Sequence, residues 1–346
     1  MYLPNERFTN NFDFLRVIAA LCIAFSHSFG LLNRASEDPL MKLSDQHYDF
    51  SFIGLCIFFS ISGYLITKSA ANSASLINYA WKRFLRIQPL LILVTLLSIF
   101  VLGPLFTKLT AADYFKQLAS WTYLRNVFPA TGIQFSLPGV FENNIREPGV
   151  NGSLWTLVVE ERLYIFTAIV FFLSNKKRKY YLLFIALYNM VYMVNNYAWH
   201  FSAATFLKGP AAFYALIFLN AGALYLQGNA AVSSGKLVNL LVLLPLLLLS
   251  LVFFQLDFLQ VLLIPLFVIL VAHVRAFTNH AGRWGDFTYG LYIFAFPVQQ
   301  IIIDIHNNQV HPYPLFLLTV LVCLPLAVLS WHLLEKTMLA LKSRVK

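Results

Sequence analysis

Charge is what this chain has least of. Only 12% of its 346 residues are Asp, Glu, Lys or Arg, against 59% hydrophobic, and the mean hydropathy is +0.69. Soluble globular domains carry about twice that share of charge, so that class is excluded. Cysteine is almost missing. Cys22, Cys56 and Cys323 all lie in apolar runs with no CxxC spacing, which excludes a disulfide framework and leaves small buried core residues; no metal site is expected. No internal repeat is visible, nor an inverted repeat with paired broken helices, which weighs against a secondary transporter. No cleavable leader is evident, because the first apolar run is too long for one and no small-residue cleavage site follows it. No appended soluble domain is evident either. Acidic residues are scarce, 15 against 25 Lys and Arg, giving a net charge of +10. In a chain this apolar, the excess reads as basic cytoplasmic loops, and no nucleic-acid partner is expected.

What is present is apolar and aromatic, with 33 Phe, 17 Tyr and 6 Trp. Ten runs have helical-span character, over 12–32, 50–67, 88–107, 154–173, 180–195, 204–226, 237–254, 258–274, 286–304 and 313–334. The run 180–195 is the weakest, diluted by Asn189, Asn195 and Asn196. The expected fold is all-α, a polytopic integral membrane protein of about ten transmembrane helices, one domain over 1–346. With the N-terminus inside, 16 Lys and Arg fall on the cytoplasmic side and six outside, while Arg16, Arg162 and Lys208 lie within spans. That bias places both termini in the cytoplasm.

The longest connection, 108–153, is then extracytoplasmic. It carries Trp121, Tyr123, Asn126, Pro129, Pro138, Glu142, Asn143, Asn144, Glu147 and Asn151. Two readings stand side by side: a surface that stacks on and hydrogen-bonds a sugar, or an amphipathic interfacial segment near Asp113–Tyr123 followed by a plain linker.

The first run is broken by Arg16 and His27, with Asp13 near its start. Eleven residues of helix put Arg16 and His27 on one face, about 16 Å apart along the axis. Taken singly, Arg16 reads as an interfacial anchor and His27 as a packing residue; ionisable groups inside a span are otherwise functional. Four other stretches hold similar alternatives. Ser60 and Ser62, beside Gly63, either pack helices or line a cavity. Arg83 and Arg86 share a helical face and can fork onto phosphates, or simply mark the inside and anionic lipid. In Asn151–Tyr164, Ser153 is placed to N-cap a helix, with Trp155 in its first turn. Glu160 and Glu161 point about 100° apart, so one can pair with Arg162 or a neighbouring helix while the other is left for chemistry. Gln299 and Gln300, within the run opened by Asp286, either face a polar cavity or bond to a neighbouring helix. The last run closes on Trp331, His332, Glu335 and Lys336.

Together these stretches resemble the acyltransferase 3 family of membrane enzymes that O-acylate sugars and polysaccharides. The features in order are Arg16-x10-His27, FFSISGYLIT, KRFLRIQP, GSLWTLVVEERLY, and FTYGLYIFAFPVQQ with Glu335-Lys336. Where the family often has His in its YLxHxP motif, Ala295 stands here, and Thr337 stands where Pro often follows the closing Glu-Lys. The resemblance implies an acyl-CoA donor, usually acetyl-CoA, bound from the cytoplasm. It implies a glycan or lipid-linked saccharide acceptor such as O-antigen, lipopolysaccharide or exopolysaccharide, and residence in the bacterial inner (plasma) membrane among its lipids. It implies essential roles for Arg16, His27 and Glu160, with Arg83 and Arg86 beside Arg16 on the donor. Ser153, Trp155, Glu161 and Gln299 are the candidate acceptor-side contacts. In this reading His27 is a general base, oriented by Glu160 or Glu161 in the manner of a triad. Ser60, Ser62 and Gln299 stand near the oxyanion. A covalent relay is the mechanistic rival. The alternatives from other classes are a transporter or flippase for a lipid-linked sugar or acyl carrier, and a non-catalytic scaffold.

Overall fold

A computed structural model describes residues 10–146, 149–196, 209–228, 236–252, 257–274, 281–283 and 285–344. Arg7, Glu147, Lys208, Arg275 and Lys346, counted above, lie outside these. Among the described residues, ten longer helices overlap the ten expected runs: α1 Phe12–Gly30, α2 Phe50–Asn72, α3 Leu76–Phe106, α4 Leu154–Leu173, α5 Arg178–Val194, α6 Gly209–Gln227, α7 Lys236–Val252, α8 Asp257–His273, α9 Thr288–Ile305 and α10 Pro312–Ala340. The protein is an all-α membrane protein. Among the described residues, α1, α2, α3, α6, α9 and α10 are long and apolar enough to cross a membrane. The helix α4 carries three adjacent charges, and α5, α7 and α8 reach 17 residues each.

Two boundaries move for one reason. Apolarity marks only the part of a helix that sits in hydrocarbon, whereas the backbone goes on hydrogen-bonding into the polar zone. So α3 starts at Leu76 rather than 88, with Ser75 Oγ accepting from Asn78 N (3.1 Å), and the whole KRFLRIQP box is helical. Likewise α10 runs on through a π turn at Trp331–Glu335 to Ala340.

The chain divides into two compact units. The first comprises residues 1–16, 55–79 and 162–284. Its centre is α6, with Leu216, Ile217, Phe218 and Ala221 fully or nearly fully buried. At Gly63 of α2, an added Cβ would fall 1.9 Å from the Phe218 carbonyl oxygen, so only glycine permits this approach. Asn189 and Asn220 exchange amide hydrogen bonds (2.9 and 3.1 Å), and Asn220 also donates to Val261 O (2.9 Å). The polarity that weakens the 180–195 run is thus a bond between helices α5, α6 and α8.

The second unit comprises residues 17–54, 80–161 and 285–346. Here α9 and α10 pack closely at Gly290, where a Cβ would lie 2.9 Å from Ala327 Cα. The connection after α3 is folded on itself rather than a plain linker, and it exposes Leu118, Trp121 and Phe128. Short helices at Ala111–Lys116 and Leu118–Thr122 gather Tyr114, Tyr123, Leu137, Val140, Phe141 and Val150 around Ile99 of α3. Asn126 is buried, donating to Gln134 O (2.8 Å) and accepting from Gln134 N (2.7 Å). Tyr123 and Asn126, expected as sugar contacts, therefore belong to a small core, while Trp121 and Glu142 remain exposed.

Candidate active site

One face of α9 organises the second unit. Tyr289, Tyr292, Phe296 and Gln299 follow at spacings of three, four and three, which aligns them along a helix. The Tyr289 hydroxyl donates to Ile87 O of α3 (3.1 Å). The Tyr292 hydroxyl donates to Ser153 O (2.9 Å) and lies 2.5 Å from Thr156 Oγ1 of α4. Phe296 meets the His27 ring edge to face (5.4 Å) and packs on Gly152, where a Cβ would come within 2.4 Å of it. Gln299 donates to Ala24 O (2.7 Å) and Ser28 Oγ (2.8 Å) of α1. Asn151, just ahead of α4, donates to Ile293 O (3.0 Å). At the position of the family's histidine, Ala295 is buried; its neighbour Phe296 is the side chain that touches His27.

The KRFLRIQP box joins the same assembly residue by residue. Arg86 donates to Asp286 (2.5 Å) and stands 4.0 Å from the buried Glu335. The π turn brings Glu335 within 3.0 Å of the Ser330 hydroxyl, five residues back. Gln88 donates to Glu161 (2.6 Å), which also accepts from Ala130 N (2.8 Å). Parts of four motif stretches thus lie within this unit: His27, 82–89, 152–161, and 287–300 with Glu335. The fifth, FFSISGYLIT, belongs to the other unit. There Ser60, fully buried, donates to Cys56 O, and Ser62 lies 3.4 Å from the Tyr164 hydroxyl.

His27 is half-buried at the last turn of α1. Its Nδ1 is buried and hydrogen-bonds to no described residue, so this atom makes no bond to Glu160 or Glu161. Glu161 is committed to amide donors, and Glu160, half-buried, acts electrostatically on Tyr289 and Tyr292. Buried polar atoms are nearly always hydrogen-bonded. Ser153 Oγ and Gln299 Oε1 join His27 Nδ1 as buried atoms with no partner among the described residues. These three lie on α1, just ahead of α4 and on α9, where Phe296 packs against both His27 and Gly152. Ser153 does not cap α4 with its hydroxyl; Asn151 Oδ1 accepts from Ser153 N instead (3.1 Å). Trp155 is half-buried in the first turn.

Arg146, counted above only as an outside charge, is the residue the sequence reading missed. Its Nη1 donates to Gly30 O (2.9 Å), one turn beyond His27, and its charge acts on the imidazole. No local signal marks it, because its partner is 116 residues away. Tyr289, Tyr292 and Phe296 did carry a signal, their helical spacing with Gln299. Arg16 belongs to the first unit and stands 4.0 Å from Asp13, one turn earlier on α1. Because α1 is continuous, three turns separate Arg16 from His27. Arg83 and Lys82 are both half-buried on α3.

An acyltransferase-domain family profile matches residues 9–334, and the chain belongs to that family: it is a membrane acyltransferase. Over 347 aligned residues, 97% of each chain, it is 32% identical to a protein named O-acetyl transferase from Shigella phage Sf6. Over 161 residues, 45% of this chain and 42% of the relative, it is 34% identical to nodulation protein 10 of Rhizobium leguminosarum bv. viciae. No solved structure matches it.

Proposed function

We propose that this acyltransferase moves an acetyl group from cytoplasmic acetyl-CoA to a hydroxyl of a cell-surface glycan or its lipid-linked precursor. It would do so in a bacterial inner membrane with both termini inside. The observation that carries the reading is His27: a half-buried imidazole whose Nδ1 has no described partner, at the meeting of α1, α4 and α9 and beside the Arg146 guanidinium. The O-acetyl transferase named for the phage relative supports acetyl as the group transferred. The loop charges support the orientation.

In the proposed reaction His27 takes the proton of the acceptor hydroxyl as its oxygen attacks the thioester carbonyl. The C–O bond forms, the C–S bond breaks, and the proton passes to the departing CoA thiolate. Arg146 stabilises the oxyanion or holds the acceptor. Glu160, the carboxylate of this cluster not held by Gln88 and Ala130, offsets positive charge as the imidazole gains its proton. Arg16 and Arg83 hold donor phosphates. Arg86 assists from its ion pair with Asp286, which fixes where that guanidinium lies. Ser153, Trp155, Glu161 and Gln299 shape the acceptor side, Glu161 by holding the 130 turn against α3.

Purified protein given acetyl-CoA and glycans from cells lacking the gene should release CoA and add one acetyl mass to the glycan. His27→Ala should do neither while still binding CoA. Wild-type turnover by His27→Ala would overturn the assignment of the base.

A further inference from the structure

The first unit holds a cavity of about 410 Å³ whose charged residues lie outside every motif stretch. It sits where α2, α4 and α6 end and α5 begins, on the side that the loop charges assign to the cytoplasm. Its floor is apolar, with Phe171, Leu226 and the ring of Tyr64 buried. Its rim is cationic, with Lys176 and Arg178 both exposed.

The backbone seats these two cations. The chain leaves α4 through two residues of positive φ, Asn175 (50°) and Lys176 (60°), and Lys176 N donates to Phe171 O (2.7 Å). The Lys176 ammonium then donates to Ser73 O, just after α2, and lies over the Phe172 ring (5.5 Å). Arg178, the first residue of α5, donates to Leu226 O (3.4 Å). An ammonium has three N–H groups and a guanidinium five, so each cation keeps donors beyond these bonds. Tyr225 packs on Tyr64 (5.4 Å), and its hydroxyl accepts from Asn72 (3.1 Å), which leaves its own proton to donate. Among the described residues, neither Lys176 nor Arg178 meets a carboxylate. From residue 162 to residue 284 the only side-chain carboxylate is Asp257, which opens α8.

The cavity therefore offers donors and positive charge above an apolar floor. Its matching ligand carries an acceptor-only anion on an apolar body. Leu173, two residues after Phe171, is 81% exposed, as a side chain facing lipid is. We infer that this cavity seats the phosphodiester headgroup of an anionic phospholipid. Lys176, Arg178 and the Tyr225 hydroxyl take the phosphate oxygens, and Phe171 and Leu226 take the start of the acyl chains. The site is separate from the donor reading above and does not depend on it.

The test is native mass spectrometry of the full-length protein, titrated with phosphatidylglycerol and with phosphatidylcholine of the same acyl chains. Wild type should hold phosphatidylglycerol the more tightly, because choline brings a further cation to the same rim. Lys176→Gln and Arg178→Gln should each weaken phosphatidylglycerol about fivefold, the worth of one cation beside an anionic lipid, and leave phosphatidylcholine unchanged. Lys176→Arg keeps the charge and should keep the lipid. Lys177→Gln and Lys179→Gln remove the same charge from residues that do not line the cavity, and should bind like wild type. Ala71→Leu fills the cavity from its wall without touching a charge, and should also release the lipid.

If Lys177→Gln or Lys179→Gln weakens retention as much as Lys176→Gln does, the attraction is diffuse surface charge and the site is refuted. Equal retention by wild type, both rim variants and Ala71→Leu refutes it as well. If coenzyme A rather than phosphatidylglycerol depends on Lys176 and Arg178, the lipid assignment falls and the cavity belongs to the donor.

Discussion

Arg146 donates a 2.9 Å hydrogen bond to the carbonyl of Gly30, one helical turn beyond His27. The connection between α3 and α4 thereby delivers a guanidinium to the end of α1, beside the His27 imidazole. Removing it should cost transfer rather than fold. Arg146→Ala should lower kcat by about 10²-fold, the usual effect of deleting one donor that stabilises developing negative charge. Arg146→Lys should recover part of that. Steady-state CoA release by purified variants measures this, and an unchanged kcat in Arg146→Ala would reduce the residue to a loop anchor.

The two adjacent carboxylates of α4 should separate cleanly on mutation. Glu161→Ala removes the carboxylate that accepts from Gln88 Nε2 and Ala130 N and leaves Gln88 its longer bond to Val127 O (3.4 Å), at a cost of about 1–3 kcal/mol. Its main readout is a lower unfolding temperature in detergent. Glu160→Gln should keep that temperature and lose turnover. The reverse pattern would exchange their roles.

Gln299 ties α9 to α1 through Ala24 O and Ser28 Oγ, three residues and one residue from His27. Gln299→Leu should loosen the seat of His27, lowering kcat more than it raises KM for acetyl-CoA. Gln299→Asn, one methylene shorter, should not rescue it. Equal effects on both constants would argue for a merely structural contact.

Gly63→Ala places a methyl 1.9 Å from a backbone oxygen that cannot step aside. Overpacking of this kind costs about 1–3 kcal/mol or more. The expected outcome is poor membrane accumulation, read by fluorescence-detected size exclusion. Ser60→Ala is the control. It removes only a hydroxyl that donates to its own helix, and it should accumulate normally.

The helical runs were legible because apolar length is a local property, and the α4 run kept its limits of 154 and 173; six of the described helices have the length and apolarity of membrane spans. The start of α3 was not, because Asn78, Lys82, Arg83 and Arg86 are polar and yet helical. Asn189 looked like a flaw in its run until Asn220 was seen opposite it. That Glu161 is held depends on Gln88, 73 residues away, and no spacing rule reaches that far.

The sequence by itself determined the class of this protein. Scarce charge, long apolar runs and the spacing of Arg16 and His27 on one helix are local and periodic, and they need no partner to be read. Tertiary structure alone decided which groups stand together. It set Phe296 rather than residue 295 against His27, drew Arg146 in from the loop, engaged Glu161 and Arg86 in bonds of their own, and brought Leu341 back to Trp81 of α3. The reason is physical. A buried polar or charged group must find its partner wherever packing supplies one, and that partner is fixed by the meeting of helices, not by distance along the chain.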